Sequence, residues 1–177
     1  MLSLVASAAS LFRATDAATL KPVFEEELSS AWGRPVSIGD FFIPRVQAAE
    51  GGRFLVQYRF STAGRSWIFW GRVGFELTRA DEGHTFSVPD FGLVVPIFPF
   101  DPDLPVLARF FRADESAGLL ESLREALDLT PEARIEDVLV LGYRLGRRAV
   151  LRCRLRDGGR ELGVVAKLLP PRKAARR

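Results

Sequence analysis

The stretch from Gly146 to Pro170, GRRAVLRCRLRDGGRELGVVAKLLP, constrains this chain more than any other. Ala149, Leu151, Cys153 and Leu155 alternate with Val150, Arg152, Arg154 and Arg156 as far as Asp157-Gly158, and a second run follows over 162–169. Period-two alternation on both sides of a pair that favours positive φ is the pattern of a half-buried β-hairpin. Lys167 stands in the otherwise apolar second run. Such a cation must reach a sheet edge or meet an anion, because burying it unpaired is costly.

A segment 95 positions upstream, RFLVQYRFSTAGRSWIFWGRVGF over 53–75, has the same plan. Aligned without a gap, Arg53 meets Arg148, Arg59 meets Arg154, and Gly64-Arg65 meets Gly159-Arg160. The inward set Phe54, Val56, Tyr58 and Phe60 falls on Ala149, Leu151, Cys153 and Leu155, and Arg72 falls on Lys167. This phase agreement predicts a duplicated β unit. The competing reading is two unrelated hairpins that share only turns and alternation.

The flanking sequence completes an α+β chain. Leu4, Ala8, Leu11 and Phe12 suit one face of a short helix, and the absence of a basic segment before them argues against a secretory signal. Pro22 to Trp32 predicts a helix with proline in its first turn, Glu25–Glu27 solvated behind it, and Phe24, Leu28 and Trp32 facing the core. Val36–Val46 predicts an edge strand because Pro44 interrupts it. His84–Phe100 is extended, and prolines 96, 99, 102 and 105 make the following residues a crossover. Leu107–Phe111 suits a helical turn, and Asp114–Leu129 a helix with Leu119, Leu120, Leu123, Ala126 and Leu127 inward. Ile135–Tyr143 then opens the second β unit. The expected architecture is two small antiparallel three-stranded units with flanking helices, over 1–105 and 106–177.

Composition bounds the function. With 47% apolar residues the chain is globular, and no apolar run approaches the ~20 residues of a membrane-spanning helix. No membrane partner is expected. The one cysteine, Cys153, reads as an inert core thiol, consistent with a reducing, cytoplasmic setting or with indifference to redox. The net charge of +3 conceals an asymmetry: residues 134–177 hold 13 Lys and Arg against 4 Asp and Glu. A basic end of this kind serves phosphates, nucleic acid or an acidic partner, or neutralises the acidic remainder. The one histidine, His84, reads as a solvated loop residue, which leaves no histidine-rich metal site. Asp101 and Asp103 read as turn or helix caps.

VVAK, Val164–Lys167, stands where protein-kinase-like folds carry their V-A-x-K signature. The run GYRLGRRAVLRCRL, 142–155, resembles the first hairpin of the aminoglycoside phosphotransferase and choline kinase-like small-molecule kinases. The resemblance covers about 135–169, with a weaker echo over 36–75. It implies ATP- and Mg-dependent phosphoryl transfer to a hydroxyl, with Lys167 at a nucleotide phosphate and Gly142 and Gly146 in the adjoining loop.

The departures shape the expectation. Gly142 to Gly146 holds no full G-x-G-x-x-G, and the ten residues after Lys167 have no room for a lysine-pairing glutamate helix, a catalytic loop or a metal-binding aspartate. Asp90-Phe91-Gly92 spells the metal motif but precedes the lysine and follows no catalytic loop. A nucleotide-facing segment without its catalytic lobe is therefore expected, inactive alone, with that lobe on another chain, beyond this sequence or lost. The alternative is a non-enzymatic module that binds a protein, or less readily nucleic acid, through a sheet edge or basic face. Its charged and stacking residues would be Arg144, Arg147, Arg148, Arg152, Arg154, Arg156 and Arg160 with Trp67, Phe69 and Trp70.

Overall fold

The computed structural model describes residues 8–77 and 83–171. It is α+β throughout, with two antiparallel sheets and short helices, and divides into two compact units, Met1–Ile97 and Phe98–Arg177. The 1–7 stretch lies outside the described residues, so the expected helical face at Leu4 does too.

In the first unit, α1 (Ala8–Ala14) leads to α2 (Ala17–Trp32). Phe12, expected to share one helical face with Ala8 and Leu11, is 76% exposed, and the buried residue of α1 is Ala14. The long helix starts five residues before the expected proline. Asp16 caps it: its carboxylate accepts from the amides of Ala18 and Thr19, at 3.1 and 3.4 Å, and from Thr19 Oγ1 at 2.6 Å. Pro22 thus sits inside the helix, where it removes one backbone donor. Gly33, left-handed at φ 62°, ends it.

Glu25 is not a solvated first-turn residue. Its carboxylate accepts from the Ile38 amide at 2.7 Å and ties the incoming strand to the helix.

The sheet of this unit has the order β1 (Phe41–Ala49), β2 (Arg53–Thr62), β3 (Arg65–Val73), β5 (Leu93–Pro96), β4 (Thr85–Val88). Its first strand is an edge with an irregularity between Phe42 and Arg45, which accommodates Pro44 as expected. The extended 84–100 stretch resolves into a hairpin, and its second arm pairs with β3 through Arg72↔Val94 and Val73↔Leu93. Val56, Tyr58 and Phe60 are buried, as the alternation requires. Phe24 stands edge-on to Phe41, Tyr58 and Phe86 at centroid distances of 5.0, 4.9 and 5.0 Å. The Tyr58 hydroxyl donates to the Ala14 carbonyl at 2.9 Å, and burial holds its pKa far above the usual range.

In the second unit, α3 (Val106–Arg109) and α4 (Ala113–Leu127) precede β6 (Arg134–Arg144), β7 (Arg148–Asp157) and β8 (Arg160–Leu168), a meander in that order. Leu119 and Leu120 are buried, but Leu123 is 37% exposed and Ala126 is exposed, so the inward stripe is narrower than expected. Ala149, Leu151, Cys153 and Leu155 all face the core.

The hairpins of the two units agree in detail. Arg53–Thr62 and Arg65–Val73 begin and end 95 positions before Arg148–Asp157 and Arg160–Leu168. All nine cross-strand partners, from Phe54↔Val73 to Thr62↔Arg65, have counterparts at the same shift, from Ala149↔Leu168 to Asp157↔Arg160. The helix ends also correspond: Gly33 and Asp128, both left-handed caps, stand 95 residues apart.

Candidate functional site

Lys167 lies on β8, at a margin of the second sheet, and is exposed. Strand alternation puts it on the outer face with Val165, which is 63% exposed, while the inner face carries Val164, Ala166 and Leu168. Across the sheet, Val150 is paired with Lys167, and Leu139, Arg152 and Val165 form the next row. Leu139 and Leu141 are 38% and 48% exposed. The result is a mixed face about three strands wide, with exposed Arg152 between Leu139 and Val165 and the Lys167 ammonium at one side. Arg72, the matching cation of the first unit, has a different setting: its strand is flanked on both sides and the residue is half-buried.

The glycines take separate roles. Gly142 lies within β6 beside a register irregularity, paired with Val150, whereas Gly146 forms the β6–β7 turn at φ 62°. That turn is held by a buried carboxylate. Asp101 Oδ2 accepts from the Gly146 amide at 2.9 Å and from the Tyr143 hydroxyl at 3.0 Å, while Oδ1 accepts from the Asp103 amide at 3.0 Å. Only the last bond is the turn cap that the sequence suggests. A Cβ at Gly146 would come within 2.7 Å of an Asp103 carboxylate oxygen, so the turn also needs glycine for space. Burial pushes the Asp101 carboxyl above its usual pKa, against the pull of the Gly146, Tyr143 and Asp103 donors. The Gly146 amide, which a phosphate loop would offer to an anion, is engaged by this aspartate.

The basic face is partly neutralised from within. Glu136 draws Arg156 to 3.1 Å, Arg134 to 3.7 Å and Arg154 to 3.9 Å, and the bond to Arg156 chiefly holds its carboxyl below the usual range. Asp157, buried behind the hairpin turn, accepts from the amide and hydroxyl of Thr130 and from Arg160, which lower its pKa. The aromatic residues weighed for stacking are packed: Phe69 and Trp70 are buried, and Trp67 lies 5.1 Å from Trp32.

Comparison with protein-family models, with curated proteins and with solved structures finds no match to this chain. The site therefore rests on its own geometry. Asp90 and Phe91 lie in a short 3-10 turn, Pro89–Phe91, that left-handed Gly92 closes between β4 and β5, with Asp90 exposed and its carbonyl accepting from Arg13 at 3.1 Å. His84 is exposed in the turn before β4. Cys153 is 2% exposed, and burial, with the Asp137 charge second, pushes its thiol pKa up, which suits an inert core residue. Among the described residues no cluster of His, Cys, Asp and Glu is placed to hold a metal ion, and no helix is long and apolar enough to cross a membrane.

Opposite pH responses follow in the second unit. The unfolded chain binds protons at Asp157 and Glu136 more tightly than the folded one, so their stabilisation is present above about pH 4 and is lost as pH falls through their lowered folded values. Asp101 has a raised folded value, so its contribution declines as pH rises from about 4 through that value. Melting temperature against pH is expected to show a shallower acid limb in Asp157→Asn than in the wild type. An unchanged limb would show that the acid sensitivity lies elsewhere.

Proposed function

We propose that the chain is a phosphotransferase-like segment of the small-molecule kinase type, inactive alone, whose second sheet contributes the nucleotide-facing surface. One observation carries the reading: exposed Lys167 and Val165 share a face with half-buried Val150, and exposed Leu139 lies across Arg152 from Val165. The apolar residues of this face receive a base, and the Lys167 ammonium receives phosphate as a point charge. ATP with Mg is the cofactor in this reading, and the catalytic loop and metal-binding aspartate would come from a lobe on another chain or beyond this sequence. The corresponding hairpins support an internal duplication in which the first unit kept the scaffold and the second kept the exposed cation.

A non-enzymatic interaction module is the second reading, favoured by the same exposed apolar residues and by the engagement of the Gly146 amide with Asp101. An NMR titration with MgATP separates the two. The phosphotransferase reading expects amide shifts at Val150, Val165 and Lys167, saturating near millimolar nucleotide because only one wall of the cleft is present, about −4 kcal/mol of binding. Lys167→Ala should abolish them. No shift on this face would favour the interaction module, and ATP turnover by the chain alone that Lys167→Ala removes would overturn its inactivity.

A further inference from the structure

The two corresponding hairpins differ at one margin. In the first unit the far side of β3 is covered at Arg72 and Val73 by a further strand of the same chain. In the second unit β8 is the last strand of its sheet, nine residues long, with Glu161, Gly163, Val165 and Lys167 exposed. A long, regular, largely apolar margin is a template for another strand. We propose that a second copy of this chain fills it, β8 pairing antiparallel with β8 of the partner about a two-fold axis through Val164.

The backbone sets the parity. Asp157↔Arg160 closes a two-residue turn and is therefore a hydrogen-bonded pair, and bonding alternates along the antiparallel ladder. The even-numbered residues of β8 thus bond to β7. Glu161, Gly163, Val165 and Lys167 point their amides and carbonyls outward. A two-fold at Val164 brings Glu161 opposite Lys167 and Gly163 opposite Val165, each pair occurring twice and each bonding through the outward groups.

The side chains agree with that register. Opposed residues in a sheet share a face, so each outer-face carboxylate meets an outer-face ammonium. Glu161 faces Arg156 within its own sheet, but that guanidinium hydrogen-bonds Glu136 at 3.1 Å. The bare Gly163, with nothing within 4 Å of an added Cβ, gives room for the exposed Val165 opposite. A slip by two residues keeps the hydrogen-bond parity but loses the charge pairs, so the charges select the register. Strand pairing does not need the nucleotide reading, since it uses in-plane backbone groups, but both would draw on the same Lys167 ammonium.

Sedimentation velocity of the full chain from micromolar to millimolar concentration tests it. A reversible dimer is expected, with Kd on the order of 10–100 µM because strand pairing alone makes a small interface. Val165→Pro removes an outward donor without touching the ladder to β7 and should leave a folded monomer. Glu161→Lys and Lys167→Glu should each weaken self-association at least about tenfold by opposing like charges. An equimolar mixture of these two variants should dimerise again, because each then meets its complement. A monomeric wild type at millimolar concentration overturns the proposal. So does a dimer indifferent to both charge variants and to Val165→Pro, which would place the contact on another surface.

Discussion

Replacing Phe24 with alanine is expected to destabilise the first unit by about 3–5 kcal/mol, the usual cost of deleting a buried phenyl ring. The ring is fully buried and makes edge-to-face contacts with Phe41, Tyr58 and Phe86, which come from three different strands. Its loss leaves a cavity between α2 and the sheet and removes aromatic contacts worth more than their area alone. For a unit of this size the melting temperature should fall by more than about 10 °C. All three tryptophans, Trp32, Trp67 and Trp70, lie in the first unit, so tryptophan fluorescence follows its unfolding without interference. Phe24→Leu keeps most of the volume and should cost less than half as much. Equal losses from the two variants would contradict a packing origin.

Asp101→Ala is expected to cost the second unit about 2–4 kcal/mol, since it takes away the acceptor on which three donors converge. The Tyr143 hydroxyl, the Gly146 amide and the Asp103 amide all converge on this side chain. Amide hydrogen exchange is the direct readout: Gly146 should lose its protection, with loosening of the adjoining ends of β6 and β7. Asp101→Asn should be milder, because one oxygen still accepts from Tyr143 and Gly146 while the new amide nitrogen confronts the Asp103 donor. Unchanged exchange at Gly146 in Asp101→Ala would show that the turn is set by its own φ preferences alone.

The strands were legible because their signal is local. Alternation in 54–60 and 149–155 states which side chains go inward, and Ala63-Gly64 states where the first hairpin reverses. Asp157-Gly158 places the second reversal one residue early, since Asp157 pairs with Arg160 across Gly158-Gly159. The edge character of the Pro44 strand was legible for the same reason. Other features depend on residues far apart in sequence. Asp101 reads as a turn cap until Tyr143 and Gly146, more than 40 positions on, come within hydrogen-bond distance. Glu25 reads as solvated until the Ile38 amide meets it. The Asp16 cap did have a local sign, a capping residue before a helical run with threonine three positions on; the prominence of Pro22 obscured it.

Gly71 marks the boundary between the two kinds of information. A Cβ there would come within 2.8 Å of the Tyr58 ring and 2.6 Å of the Leu93 side chain. The corresponding position in the second unit is Ala166, and the residue corresponding to Tyr58 is the smaller Cys153. Neither choice is explicable from its own strand, because each is set by the volume of a neighbour on another.

By itself, then, the sequence determined the α+β class, the hairpins and their inward faces, since alternation and turn chemistry act over a few residues. Tertiary structure alone decided that the first sheet gains two strands, that Arg72 sits within a sheet and Lys167 at its margin, and that a buried aspartate holds the Gly146 turn. Those outcomes depend on which segments meet across long stretches of chain, and no local preference encodes that meeting.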